Sequence, residues 1–184
     1  MIIGITGTAG SGKDTAAELI CSILKDNCKV WHFADPLKQM CIDYLGLTYD
    51  DLYTREGKTK FNEFWKMTNR EILQKIGTDC FRNNFCKDFY CKLLEIYLKT
   101  FDKKVLIVPD VRFDNEAETI KKNNGIIIKI DRENHELTNK EIMHESEQGI
   151  SEKLIDYNID NSSTLDILLE KINIILKEYN YGEN

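Results

Sequence analysis

The chain has 184 residues, 42% hydrophobic and 30% charged, enough for one sizeable core and a composition that excludes disorder as the default. Its 31 acidic residues outnumber the 25 basic ones, giving a formal charge of −6, which excludes a wide basic surface for a nucleic-acid backbone. No apolar run approaches the roughly 20 residues that span a bilayer, and the apolar start Met1–Thr6 lacks a basic leader, so a cytoplasmic protein without a membrane partner is expected.

Ile2 to Thr6 is a β-branched run ending at a glycine, and from Lys13 the apolar positions Ala16, Ala17, Leu19, Ile20, Ile23 and Leu24 repeat with helical spacing. Between them lies Gly7-Thr8-Ala9-Gly10-Ser11-Gly12-Lys13. Strand, glycine-rich turn and helix form the context in which G-x-x-x-x-G-K cradles phosphate, with backbone N–H groups turned inward and the lysine on the β- and γ-phosphates. The usual loop continues with a Ser or Thr that holds magnesium, but here Asp14 follows Lys13 and Thr15 comes one residue late.

Adenylate-kinase-like enzymes also place a non-hydroxyl residue before a threonine. By that analogy Thr15 bonds the α-phosphate, and Asp14, a hard oxygen ligand, holds Mg2+. No guanine signature Asn-Lys-x-Asp supports a GTPase, since Asn139-Lys140-Glu141-Ile142 lacks the aspartate.

Val30 to Ala34 reads as a second strand, with His32 as a structural histidine inside it, followed by the helix-opening pair Asp35-Pro36. Residues 36–102 read as mostly helical, with a looser polar stretch from Thr48 to Phe61. Val105 to Val108 is a continuous apolar run, as in a central parallel strand, and ends in Pro109-Asp110-Val111-Arg112. A helix from about Asn115 to Asn124 precedes the strand Ile126–Ile130; Asp131 to Gly149 is polar, Tyr157–Asp160 is a last short strand, and an amphipathic helix follows Ser162-Ser163-Thr164.

Six cysteines without a C-x-x-C pair read as reduced thiols, not as a zinc site. His135 and His144, among Glu136, Glu145 and Glu147, do not have the spacing of a metal cluster. Strands alternating with helices imply an α/β fold around a parallel sheet.

Several further segments fall in a fixed order. They are Ala34-Asp35-Pro36-Leu37-Lys38, Arg70-Glu71-Ile72-Leu73-Gln74-Lys75-Ile76-Gly77-Thr78, Asp110-Val111-Arg112-Phe113-Asp114-Asn115-Glu116, His144-Glu145-Ser146-Glu147 and Ile159 to Leu165. With the Lys13-Asp14-Thr15 variant, they make the chain resemble the deoxynucleoside monophosphate kinases of bacteriophages. The resemblance is weakest over residues 45–66 and 133–143.

The resemblance implies a single-domain P-loop NTPase fold of three α/β/α layers with a parallel five-stranded sheet. Its parts would be a core of 1–35, 103–131 and 150–184, a helical substrate-binding region 36–102 and a lid 132–149. It implies transfer of the γ-phosphoryl group of ATP, with Mg2+, to a deoxynucleoside monophosphate, in the host cytoplasm for a viral chain. Partners would be small nucleotides, and a homodimer stays open.

Ala9, Gly10, Ser11, Gly12, Lys13, Asp14 and Thr15 would hold ATP. Lys13, Asp110, Arg112 and Arg132 would be catalytic, and Asp14 and Asp110 would hold the metal. Asp35, Lys38, Arg70, Gln74, Arg82 and Arg112 would bind the acceptor. Only five arginines occur, Arg55, Arg70, Arg82, Arg112 and Arg132, and the rigid guanidinium fork suits phosphate. Two rival readings remain: a P-loop kinase of another metabolite, similar to dephospho-coenzyme A kinase, and a nucleotide-binding module without turnover.

Overall fold

A computed structural model describes residues 1–132 and 149–179. The chain divides into two compact units, one made of Met1–His32 and Tyr97–Asn184, the other of Phe33–Ile96.

The first unit is built on a five-stranded parallel sheet. Its strands are β1 (Ile2–Thr6), β2 (Cys28–Val30), β5 (Val105–Val108), β6 (Ile126–Asp131) and β7 (Tyr157–Asp160), in the order β2-β5-β1-β6-β7. β1 and β5 are buried at every residue, which is why both read as unbroken apolar runs. Helices α1 (Lys13–Leu24) and α8 (Leu165–Glu178) cover one face, where Ala16, Ala17, Ile20, Leu168 and Ile172 meet Ile3, Ile5, Ile128 and Ile130. Each such fully buried isoleucine contributes roughly 1.5–3 kcal/mol of transfer free energy.

Helix α7 (Asp114–Lys122) covers the other face. There Gly4 leaves room for its neighbours, since a Cβ would stand 2.6 Å from Ile127 Cδ1 and 2.8 Å from Ile120 Cδ1.

The second strand is shorter and earlier than the expected 30–34. β2 is an edge strand whose ladder partner β5 ends at Val108, before Pro109, which has no N–H to continue pairing. The Trp31 N–H, donated to the Ile107 carbonyl at 2.9 Å, extends the pairing by one bond. His32 therefore lies beyond the strand, with Nε2 3.9 Å from Asp14 Oδ1.

In the second unit, α2 (Asp35–Leu45) is closed by Gly46 in the left-handed region at φ 72°. The expected loose stretch is instead two short helices, α3 (Tyr49–Tyr53) and α4 (Arg55–Thr59), then a hairpin of β3 (Phe61–Asn62) and β4 (Met67–Thr68). Thr48 and Asp51 cap α3 reciprocally, and the Thr54 hydroxyl accepts the Gly57 N–H. α5 (Asn69–Gln74) runs into an i→i+5 bonded stretch, Lys75–Phe85, which the helical pattern does not distinguish from an α-helix; α6 (Phe89–Leu98) follows.

All six cysteines are free thiols, Cys41 and Cys91 buried. Among the described residues no helix is long and apolar enough to cross a membrane. His135, His144, their acidic neighbours and most of the expected lid lie outside the described residues.

Candidate active site

β1 delivers the chain to Gly7 at the carboxyl end of the sheet, and the turn that follows bends through positive φ at Gly7 (140°), Gly10 (78°) and Gly12 (101°). α1 starts at Lys13, so its open N–H groups and positive dipole end face the turn. Lys13 Nζ donates to the carbonyls of Gly7 (2.8 Å) and Thr8 (2.6 Å), which holds the ammonium across the loop. Ser11 is fully buried, and among the described residues its hydroxyl has no hydrogen-bond partner. A buried hydroxyl without a partner is rare in a folded protein, and here it lies within the glycine-rich turn.

Asp14, in the first turn of α1, keeps an exposed carboxylate, and Thr15 beside it is also exposed. Ala9 and Gly10 form the rim of the turn. Asp110 follows β5, where open α/β sheets bind ligands, and is half-buried. The Val111 N–H bonds the Ile5 carbonyl at 3.2 Å, which seats this segment against β1.

Arg112 joins Thr6, Gly7, Thr8, Lys129 and Asp131 in lining a cavity of about 210 Å³. Lys129 reaches Glu152 at 2.7 Å and Asp131 at 3.4 Å, and the bond to Glu152 raises its pKa. Arg132 is exposed where the described chain breaks off.

The sequence reading missed Lys129 and Glu116. A lone lysine inside Ile126–Ile130 was the available signal for the first. The Glu116 carboxylate reaches back to the N–H groups of Arg112 (2.9 Å) and Phe113 (3.2 Å). A glutamate at the third helical position is placed for that bond, whereas Asp114 accepts the Ser151 N–H at 2.7 Å.

In the second unit, Asp35 begins α2, and its carboxylate accepts the Tyr53 hydroxyl at 3.2 Å. Lys38, one turn on, is only 9% exposed and sets its ammonium 3.9 Å from the Tyr53 ring centroid. Burial, then the Asp35 charge, pushes the Tyr53 hydroxyl up to about 12. Tyr53 was not among the expected residues, and nothing in the sequence marked it.

Arg70 and Gln74 both lie on α5 and are half-buried. α5 is set by Thr68 and Glu71: the Thr68 hydroxyl accepts the Glu71 N–H, and Glu71 accepts the Thr68 N–H at 2.7 Å. Arg82 is 4% exposed, with its guanidinium 5.3 Å from the Tyr90 ring centroid and Nη1 on the Lys87 carbonyl.

The sequence pattern of the deoxynucleotide monophosphate kinase family matches residues 48–172. The chain belongs to that family. The kinase is 36% identical over 146 residues to an Acanthamoeba polyphaga mimivirus protein given the same kinase description, covering 72% of this chain and 74% of that one. It is 25% identical over 224 residues to the deoxynucleoside-5′-monophosphate kinase of Escherichia phage T5, covering 88% and 89%. Among solved structures, shikimate kinase from Aquifex aeolicus VF5 superposes over the full length of both chains at a TM-score of 0.52 and 15% identity, a likeness of fold. The fold is that of the P-loop NTPases, and the kinase is a phosphotransferase acting on small nucleotides.

Proposed function

We propose that the chain transfers the γ-phosphoryl group of ATP to a deoxynucleoside monophosphate, giving ADP and a deoxynucleoside diphosphate. The observation that carries this reading is the turn 7–13, whose three glycines bend through positive φ around the buried Ser11 hydroxyl and whose lysine spans it. Its donors are backbone N–H groups and one ammonium, a set that matches a polyphosphate.

In this reading Ala9 to Thr15 hold ATP, with Lys13 on the phosphates that separate during transfer. The exposed Asp14 carboxylate and Asp110 are hard oxygen ligands that fit a magnesium ion, which neutralises phosphate charge when bound. Arg112 and Arg132 neutralise the charge that spreads over the transferred group. The acceptor phosphate is already ionised at neutral pH and is itself the nucleophile, so no strong general base is required.

The second unit, with Asp35, Lys38, Arg70 and Gln74, binds the acceptor monophosphate. Lys38 and Arg70 supply charge, and Asp35 orients Lys38 through Tyr53. Arg82, expected to bind the acceptor, is 4% exposed against Tyr90 and the Lys87 carbonyl, so in this reading it supports the acceptor region by packing.

A coupled ADP-release assay with Mg-ATP against dTMP, dGMP, dCMP, dAMP and their ribose counterparts tests the reading. Turnover of a deoxy monophosphate that Lys13→Ala lowers by roughly 10²–10³-fold is the expected result. Turnover of dephospho-coenzyme A and of no nucleotide, or ATP binding without any product, overturns it.

A further inference from the structure

Asn161 has no part in the chemistry above, yet the phosphate loop is built against it. Leaving β7, its backbone N–H donates to the Asp131 carbonyl at 2.7 Å, which pins it to the end of β6. Its side-chain Nδ2 donates to the Ser11 carbonyl at 2.8 Å, 150 residues earlier in the chain.

Gly12 makes this approach possible, because a Cβ there would stand 2.3 Å from Asn161 Nδ2. At the other end of the loop, a Cβ on Gly7 would stand 2.2 Å from the Ile130 carbonyl oxygen. Both ends of the turn thus rest on the terminus of β6, one directly and one through Asn161.

The held group lies in the Ser11–Gly12 peptide. In a trans peptide the C=O and the following N–H point in opposite directions. Fixing the Ser11 carbonyl toward Asn161 therefore fixes the Gly12 N–H away from it.

We infer that Asn161 is a positioning residue that aims the Gly12 N–H at a bound polyphosphate and so sets the affinity of the loop for the triphosphate donor. The inference rests on the reading that the loop binds ATP. Without the side-chain donor the peptide is free to rotate, and the N–H must be ordered by the ligand at binding.

The test is isothermal titration of the full chain with ATP and with inorganic tripolyphosphate, beside steady-state kinetics, for wild type, Asn161→Ala and Asn161→Asp. A wild-type chain that binds neither ligand overturns the parent reading and this inference with it. With wild-type binding intact, Asn161→Ala weakens ATP and tripolyphosphate alike by roughly five- to tenfold, the value of one hydrogen bond. Asn161→Asp, which sets a carboxylate against a carbonyl, weakens them further, while the acceptor KM stays within about twofold.

Unchanged affinity in both variants overturns the inference. So does a loss for ATP but not for tripolyphosphate, which places the effect at the base, and so does a parallel rise in the acceptor KM, which marks general damage. Hydrogen exchange on the wild type reads the coupling without any substitution: ATP slows exchange in residues 160–163 together with residues 7–13, and protection of the loop alone overturns the inference.

Discussion

The Glu116 carboxylate accepts the Arg112 backbone N–H at 2.9 Å while remaining 2% exposed, so a buried acid on α7 sets the turn that carries an arginine lining the cavity beside Gly7 and Thr8. Glu116→Ala leaves the N–H groups of Arg112 and Phe113 without this acceptor, at a cost of about 1–3 kcal/mol. For a chain of this size that lowers the melting temperature by roughly 2–12 °C. The expected kinetic result is a fall in kcat larger than any change in the ATP KM, with Glu116→Gln intermediate because its amide oxygen still accepts.

Lys13 spans the phosphate loop through the Gly7 and Thr8 carbonyls. In Lys13→Ala, kcat falls by roughly 10²–10³-fold, the scale set by losing one preorganised charge stabiliser. Circular dichroism checks that the fold survives.

Lys38 and Arg70 belong to the second unit and the phosphate loop to the first. Lys38→Met and Arg70→Lys should therefore raise the acceptor KM by roughly ten- to a hundredfold, the scale of a charged hydrogen bond, with the ATP KM unchanged. A rise in both constants would defeat that division of labour.

Asp114 accepts both the hydroxyl and the N–H of Ser151, bonds that hold its carboxyl below the usual carboxylate range. A depressed folded-state pKa stabilises the fold above the unfolded value of about 3.9 and is lost as pH falls through the folded value. Urea titrations should therefore show Asp114→Asn less stable than wild type at neutral pH, with the gap closing in acid.

Gly4→Ala places a methyl against the Ile127 and Ile120 side-chain ends at 2.6 and 2.8 Å and against Val111 at 3.1 Å. Overpacking of this kind costs about 1–3 kcal/mol, read as a lower urea midpoint.

Much of the fold was legible because its signals are local. β1 and β5 are buried at every residue and β6 at its four isoleucines, each a run rich in β-branched residues, and α8 shows its apolar stripe directly in the sequence. The second strand was misplaced because its length is set by where β5 ends, a property of the partner strand. The helical turns at Tyr49 and Arg55 were missed although Thr48 with Asp51, and Thr54, are local caps.

For the candidate site, the glycine spacing and Lys13 marked the phosphate loop, and motif order is what proposes Arg112, Lys38 and Arg70 as site residues. Glu116 bonds N–H groups three and four residues before it, a local capping pattern that was legible and passed over, whereas Lys129, Tyr53 and Asn161 meet partners 18 to 150 residues away that no short-range pattern encodes.

By itself the sequence determined an acidic α/β chain with a phosphate loop at its first turn and the segments of a nucleotide kinase, because hydrophobic period and turn chemistry are written within a few residues. Only the tertiary structure decided the strand order β2-β5-β1-β6-β7, and with it that Asn161 meets Ser11 and that Lys129 and Arg112 share a cavity. Such meetings follow from which strands lie side by side, a choice made by burial of the whole sheet and not by any one segment.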